Sequence, residues 1–258
     1  MATVVVMYTL RSEGTLLLGP INKWLYASFA PKKHAFEIAR READKRGFTA
    51  DSGRVVQIVS DGDNDLERYA SEFFPEATHH TLDIVHVIER LWEAGACFLS
   101  EGSKALVEWV EAQKELLYGS RLKELLSELR LRRRAMGRSK KKAARRKRLG
   151  EIIKYLAKRK AMMGYADLMD EDFEVGSGAV EGAVKHIVGK RCDQGGMRWI
   201  RERAEAVVQL RCIELNGDWD RFVRFVHDRV QEQGLDHGAR VRIQQKEPAP
   251  LPEIGEAA

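Results

Sequence analysis

VVQIVSDGD, residues 55–63, decides the fold, because a short run of β-branched residues ends there in an Asp-Gly turn. Such a run, bounded by a turn signal, predicts a buried strand. Asp61 then stands at the C-terminal end of that strand, which is where open α/β sheets place their binding sites. The segment therefore predicts both a sheet and a carboxylate at its edge.

A second segment, VGSGAVEGAVKHIVGKR (residues 175–191), is a glycine-rich turn that leads into a helix carrying Glu181. Because glycines flank this helix, Glu181 is free to approach the strand that ends at Asp61. Two converging carboxylates suit Mg²⁺, since hard cations take oxygen ligands, and phosphoryl transfer uses such sites. We therefore expect these two residues to form one site.

The order of the remaining patterns favours an α/β fold. Strands are predicted first and then alternate with helices, whereas residues 87–166 show only the three- and four-residue apolar spacing of amphipathic helices. A long helix, MRWIRERAEAVVQLRCIEL, follows and ends at Gly217. The predicted strands are 4–9, 15–20, 25–29, 55–60 and 78–85, with a turn at 12–14 and helices from Pro31 to Gly47 and from 66 to 74.

Four motifs in this order resemble the DDE transposases of bacterial insertion sequences, most closely the Kra-four group. They are the two segments above, THHTLDIVHVIERLWEAG (78–95) and GGMRWIRERAEAVVQLRCIELNGDWDRF (195–222). The resemblance runs from about Val4 to Phe225. It implies a ribonuclease-H-like core, a mixed sheet with flanking helices, interrupted by an all-helical insertion. The implied parts are the first portion of the core (1–86), the basic insertion (87–166), the C-terminal helices of the core (167–230) and a disordered tail (231–258).

The resemblance also implies a site. By position, Asp61 matches the family's second catalytic aspartate and Glu181 its glutamate, which together with a first aspartate hold two Mg²⁺ or Mn²⁺ ions. Asp83 and His86 match an Asp-x-x-His pair beside that site, where the histidine contacts the scissile phosphate or orients a ligand. A partly buried histidine at a helix start is the alternative for His86. Asp63 is either a supporting residue next to the metal ligands or a solvated helix cap.

The chain departs from the family at its N-terminus. The family's first aspartate lies on an opening strand, upstream of a strand that resembles VVVMYTL here, and the first aspartate of this sequence is Asp44 in a charged helical stretch. We therefore expect the C-terminal part of a transposase that lacks the first ligand and is inactive as it stands. A non-catalytic nucleic-acid-binding protein and an inactive remnant of a mobile element are the alternatives.

The positive charge is concentrated in one segment. Residues 121–160 hold 18 Lys and Arg against 3 Asp and Glu, whereas the rest of the chain holds 26 against 36. Such segregation predicts a polyanion partner, although a solvated linker is the alternative. The resemblance implies that this partner is double-stranded DNA, at element ends and target. The predicted DNA-binding residues are Arg132, Arg133, Arg134, Arg138, Lys140, Lys141, Lys142, Arg145 and Arg146, with Lys185, Arg191 and Arg198 near the Glu181 helix.

The composition restricts the partners, the cysteine chemistry and the location expected for the protein. No apolar stretch approaches the roughly 20 residues of a membrane span, so we expect no membrane partner. Three distant cysteines, Cys97, Cys192 and Cys212, show no Cys-x-x-Cys spacing, which argues against a disulfide framework or zinc site and favours a reducing, cytoplasmic location. The resemblance adds a homo-oligomer in the active complex.

Overall fold

The computed structural model describes residues 2–13, 16–48, 50–137, 139–193 and 197–236. The chain divides into two compact units, one ending at Asn216 and the other beginning at Gly217. The first unit is an α/β structure, which confirms the predicted class. The described part of the second unit contains one helix, α10 (Trp219–Asp236).

An antiparallel hairpin opens the first unit. Its strands are β1 (Thr3–Glu13) and β2 (Leu16–Ser28), and Thr3 lies opposite Ser28. The separate strands predicted at 15–20 and 25–29 are one continuous strand in the structure. Register shifts on either side of Thr9 absorb the irregular middle of the hairpin, so β2 continues where the sequence pattern is interrupted.

Two parallel strands form a second sheet. They are β3 (Gln57–Ser60) and β4 (His79–Leu82), with Gln57 opposite His79. The strand predicted to continue to residue 85 ends at Leu82, because Asp83 caps the next helix, α3 (Ile84–Ala96). Helices α1 (Lys32–Lys45) and α2 (Asn64–Phe73) precede β3 and β4, respectively.

Helices cover both faces of the hairpin. On one face, Val5 and Met7 pack with the small residues of α1 and with Phe74. On the other, Val4 and Val6 pack with Ala183 in a cluster formed by three C-terminal helices. These are α8 (Gly178–Val184), a π-helix (Lys185–Asp193) and α9 (Arg201–Leu215). The alternation along β1 therefore places successive side chains on opposite faces.

The largest apolar core belongs to the helical region. Its helices are α3, α4 (Lys104–Tyr118), α5 (Leu122–Ala135), α6 (Ala143–Lys158) and α7 (Tyr165–Asp170). Fully buried leucines from α3, α5 and α6, among them Leu91, Leu125 and Leu156, pack in it. The described residues between 87 and 166 contain no strand, as predicted. Short 3₁₀ turns lie at Ala50–Ser52, Lys140–Lys142 and Lys160–Met162.

Near the C-terminus, several helix boundaries differ from those predicted from the sequence. The helix predicted from Met197 begins at Arg201, and α10 continues to Asp236, past residue 231 where a disordered tail was predicted to start. The rest of that predicted tail, the predicted turn at Gly14 and the Gly195–Gly196 pair lie outside the described residues. None of the described helices has the length and apolar character needed to cross a membrane.

Gly62 allows α6 to pack against the turn after β3. Its φ is +77°, and a Cβ there would lie 2.2 Å from the Tyr155 hydroxyl oxygen and 2.6 Å from Leu82 Cδ1. Both the backbone conformation and the close approach therefore require glycine.

We expect Gly62→Ala to lower the free energy of unfolding by more than about 2 kcal/mol, since it adds overpacking to backbone strain. Gly47→Ala is the matched control, because Gly47 has a φ of +70° but nothing within 4 Å of its Cβ position. Urea unfolding of both variants measures the difference. Equal losses would show that Tyr155 does not constrain the turn.

Candidate functional site

Asp61 lies on an exposed turn directly after β3. Its Oδ1 accepts a hydrogen bond from the Asp63 amide at 2.9 Å, and its backbone carbonyl accepts one from the Tyr155 hydroxyl at 3.2 Å. Within the described part of the chain, the second carboxylate oxygen has no hydrogen-bond partner. Asp61 is thus held from two sides and keeps one oxygen free for a ligand.

Asp63 caps a helix and forms an ion pair. It caps α2 by accepting hydrogen bonds from the amides of Asp65 and Leu66, and its other oxygen lies 2.6 Å from Lys32 Nζ. The Lys32 ammonium lowers the pKa of Asp63, and the same hydrogen bond raises the pKa of Lys32. These contacts fit the alternative in which Asp63 is a helix cap and not a residue that supports metal ligands.

Asp83 is fully buried and joins two segments far apart in sequence. One oxygen accepts a hydrogen bond from the Val85 amide at 2.9 Å and caps α3, and the other accepts one from the Ser177 hydroxyl. The Ile84 amide donates to the Val175 carbonyl at 2.9 Å beside it. Asp83 therefore fixes the loop that leads into α8, the helix of Glu181.

Glu181 lies in the first turn of α8 with its side chain exposed. Its amide donates to the Ser177 carbonyl at 2.9 Å, so the residue that binds Asp83 also begins the helix of Glu181. Its carboxylate makes no hydrogen bond or ion pair with the described residues. Asp83 thus positions Glu181 through Ser177.

Asp61 and Glu181 line the same cavity, whose volume is about 1700 Å³. His86, Glu89 and Lys185 line it as well. Both carboxylates therefore lie on the wall of one large cavity, and their forming a single site stays a prediction. Among the described residues, however, no three His, Cys, Asp or Glu side chains converge as a metal site.

His86 lies in the first turn of α3, on the wall of this cavity. Its Nδ1 is 2.9 Å from Glu89 Oε2, and its Nε2 is 3.9 Å from Asp83 Oδ2. Two carboxylates therefore orient the ring, which is partly exposed. This arrangement suits a residue that contacts a phosphate and equally a helix-start histidine with local partners.

The basic residues form the tip of a helical hairpin made by α5 and α6. Arg146 donates to the Gly137 carbonyl, and Arg133 Nε donates to the Arg146 carbonyl at 3.3 Å, which closes the tip. Arg132 pairs with Glu128 at 2.7 Å and lies over the Phe98 ring. Several exposed cations at the tip make no ion pair with described residues, among them Arg134, Lys140, Lys141, Lys142 and Arg145.

The other predicted cations are less clustered. Lys185 is exposed at the start of the π-helix, and Arg198 is exposed just before α9. Arg138 and the side chain of Arg191 lie outside the described residues. Of the predicted DNA-binding cations, Lys185 lines the cavity that Asp61 and Glu181 share, as do Lys32 and Arg54.

The sequence analysis did not single out three residues of the site, Tyr155, Lys32 and Ser177. Tyr155 is one of many aromatic residues in a helical segment and lies 94 positions from its partner Asp61. Lys32 begins a helix with no feature that marks its partner Asp63. Ser177 does stand in the glycine-rich motif, and its hydroxyl was the available hint, because a serine before a helix is a common cap.

Comparisons with protein-family models, with curated proteins and with solved structures find no match to this chain. Its function therefore has to be argued from the site and the charge distribution.

We expect Asp83→Ala to lower the free energy of unfolding by about 2–4 kcal/mol, because it removes a helix cap and leaves the Ser177 hydroxyl without its acceptor. Asp65→Ala is the matched control: the Asp65 side chain is 55% exposed, and it pairs with Arg68 at 3.1 Å and, at the longer distance of 3.8 Å, with Lys32. That control should lose less than about 1 kcal/mol. Chemical denaturation compares the two, and similar losses would contradict the anchoring role of Asp83.

Proposed function

We propose that this chain binds double-stranded DNA through the tip of the α5–α6 hairpin, as part of a DDE-type transposase. The observation that carries the proposal is the group of exposed cations without acidic partners at that tip, which includes Arg134, Lys140, Lys141, Lys142 and Arg145. Unneutralised cations bind phosphates and release the counterions condensed on DNA, which gives affinity for any sequence. Most of the other charged helix surfaces instead have i,i+3 or i,i+4 ion pairs, as at Lys104–Glu108 and Arg211–Glu214.

Helix α6 connects the basic tip with the carboxylate turn. Its N-terminal half carries Arg145, and its C-terminal half carries Tyr155, which donates to the Asp61 carbonyl. At the end of α6, the buried Arg159 pairs with Glu67 and donates to Asn64 Oδ1 at 2.9 Å. DNA bound at the tip is thereby held on the same rigid element that supports Asp61.

Asp61 and Glu181 suit a divalent metal in their chemistry. Each has carboxylate oxygens without a protein partner, and both face one cavity. Mg²⁺ is commonly held by one or two carboxylates, with water and substrate phosphate as the other ligands. When bound, two such ions neutralise charge on a phosphodiester and assist in-line displacement. In this proposal Asp83 and Ser177 position Glu181, and His86 contacts the phosphate.

The element order supports a ribonuclease-H-like core, with an antiparallel hairpin followed by two parallel strands and an inserted helical region. Within this proposal the protein acts in the cytoplasm and assembles into a homo-oligomer on DNA.

A non-catalytic DNA-binding protein is the second candidate. The specific observation in its favour is that the described residues bring no third metal-binding side chain to Asp61 and Glu181. The two candidates share the DNA-binding tip and differ in strand cleavage.

Replacing the five unpaired cations of the tip by glutamine should weaken duplex binding for every sequence tested. Each lost phosphate contact makes the slope of log K against log salt less negative by about 0.9, so removing five contacts should flatten the slope by up to about 4.5. Fluorescence anisotropy at several salt concentrations measures both effects. The substituted residues are Arg134, Lys140, Lys141, Lys142 and Arg145.

The matched control removes the same charge elsewhere. It replaces five exposed cations outside the tip: Lys23, Arg41, Lys45, Lys104 and Lys123. This control should keep the slope of the unmodified chain. If both variants lose equal affinity and slope, the protein binds through its overall charge and the tip is a solvated linker.

We expect this chain to show no DNA cleavage or joining with Mg²⁺ or Mn²⁺, because two carboxylates leave each metal short of protein oxygens. A variant extended ahead of β1 by a strand carrying an aspartate should gain metal-dependent cleavage. Asp61→Ala or Glu181→Ala should then abolish it. Supercoiled plasmid carrying the element ends is the substrate.

Metal-dependent cleavage by the chain itself, lost in Glu181→Ala, would contradict this expectation. A third ligand would then already be present, and Asp63, Asp65 and Asp83 would be tested first.

A further inference from the structure

His186 differs from other histidines of this chain in the charges around it. Three histidines lie beside a carboxylate, in the pairs His34–Glu37, His86–Glu89 and His227–Asp228. His186 is exposed, and the charges that act on it come from Lys190, Lys185, Arg211 and Lys23. These cations, Lys190 above all, lower the pKa of His186 together with partial loss of hydration. The potential at this point of the surface is therefore positive and favours an anion.

The π-helix places three of these groups on one side. Its hydrogen bonds join residues five apart, so Lys185, His186 and Lys190 lie within about one turn of each other on the same side. Ile187 points the other way, is fully buried and packs with Leu25 of β2 and with α9. Because this residue anchors the π-helix, its three charged or titratable neighbours stay exposed.

The other two cations come from the neighbouring elements. In β2, Lys23 is two residues before the buried Leu25, so the two share a face of the strand. In α9, Arg211 directly precedes the buried Cys212. The Arg211 guanidinium pairs with Glu214 through Nη1, but its Nε is buried without a hydrogen-bond partner among the described residues. Three segments far apart in sequence thus bring positive charge to one place.

The carboxylates of these elements do not cancel that charge. Glu214 is 56% exposed and is already engaged by Arg211. Glu181 precedes Lys185 by about one turn and makes no ion pair with the described residues. Lys185 and Lys190 likewise form no ion pair within the described part of the chain. An anion that arrives at this surface therefore meets lysines that are free to bind it.

We propose that Lys185, His186, Lys190 and Arg211 form a second DNA-binding surface, which holds successive phosphates of one strand apart from the hairpin tip. Lys23 lies at its margin, contributes charge at longer range and contacts no phosphate. Lys185 also lines the cavity that Asp61 and Glu181 share, so DNA on this surface lies beside the mouth of that cavity. The inference deepens the proposed function, on which the identity of the ligand rests.

His186 couples this surface to pH. In the free protein the surrounding cations hold the pKa of His186 below its ordinary value. A bound phosphate is an anion and raises that pKa, so the complex takes up a proton that the free protein lacks. Affinity therefore increases as the pH falls through the pKa of the complex, and it levels off once the free protein is protonated as well.

The first test follows His186 by NMR in the full chain labelled at histidine, with its signal assigned from His186→Gln. A short duplex should raise the pKa of His186. Its affinity, measured by fluorescence anisotropy, should increase as the pH falls, by up to about tenfold per pH unit, the limit for one proton. His186→Gln should remove this increase. His34→Gln is the matched control and should keep it, because His34 lies beside Glu37.

The second test removes charge. Lys185→Gln combined with Lys190→Gln should make the slope of log K against log salt less negative by up to about 1.8. The change should also occur in the chain that carries the five glutamines of the hairpin tip, because the two surfaces are separate. Lys104→Gln combined with Lys123→Gln removes the same charge from exposed positions elsewhere and should leave the slope unchanged.

A duplex that binds without changing the pKa of His186 would overturn the second surface and leave the proposed function standing, as would equal slopes for the two double variants. Failure of the unmodified chain to bind any duplex would overturn the proposed function and, with it, DNA as the ligand here. Inorganic pyrophosphate is the small-anion probe. A rise in the pKa of His186 with pyrophosphate and none with the duplex would overturn the assignment of this surface to DNA.

Discussion

The buried carboxylate of Asp83 is the constraint on which the site depends. A carboxylate at 0% exposure is costly unless its oxygens are satisfied, and here one oxygen caps α3 while the other accepts the Ser177 hydroxyl. The same residue therefore ends β4, starts α3 and holds the loop before α8. The position of Glu181 follows from this bond, because α8 begins at the segment that Ser177 fixes.

A second set of contacts couples the helical region to the sheet edge. Tyr155 packs against Gly62 and donates to the Asp61 carbonyl, and the Arg159 guanidinium lies 4.0 Å from the Tyr155 ring centroid while pairing with Glu67. Burial raises the pKa of Tyr155, so its hydroxyl stays protonated as a donor. The turn of Asp61 is thus determined by a helix 94 residues later in the chain. The helical region is a support of the site as well as a carrier of positive charge.

These long-range contacts mark the limit of what the sequence predicts. Local patterns identified the strand before Asp61, the helical run from 87 to 166 and the concentration of charge, because periodicity and composition are local quantities. The predicted end of the second parallel strand at residue 85 was wrong. The strand ends at Leu82, because helix capping by Asp83 outweighs the β preference of the branched residues Ile84 and Val85. The partners Lys32 and Tyr155 were not found, since a contact across many residues leaves no mark in a single sequence. Asp61 and Glu181 line one cavity, and the single metal site that the sequence predicts for them stays a prediction, because spacing in one sequence does not give the distance between two side chains.

The charge distribution separates the carboxylates at the cavity from the cations at the hairpin tip. Asp63 pairs with Lys32, whereas Asp61 and Glu181 form no ion pair with the described residues, so their carboxylates repel a phosphate that approaches them directly. In the function proposed above, the cations at the hairpin tip attract the phosphate backbone. DNA bound there would approach the carboxylates when a divalent cation screens them, because like charges in a partly enclosed space interact more strongly than in water. The proposal therefore makes access of DNA to Asp61 and Glu181 dependent on a divalent metal.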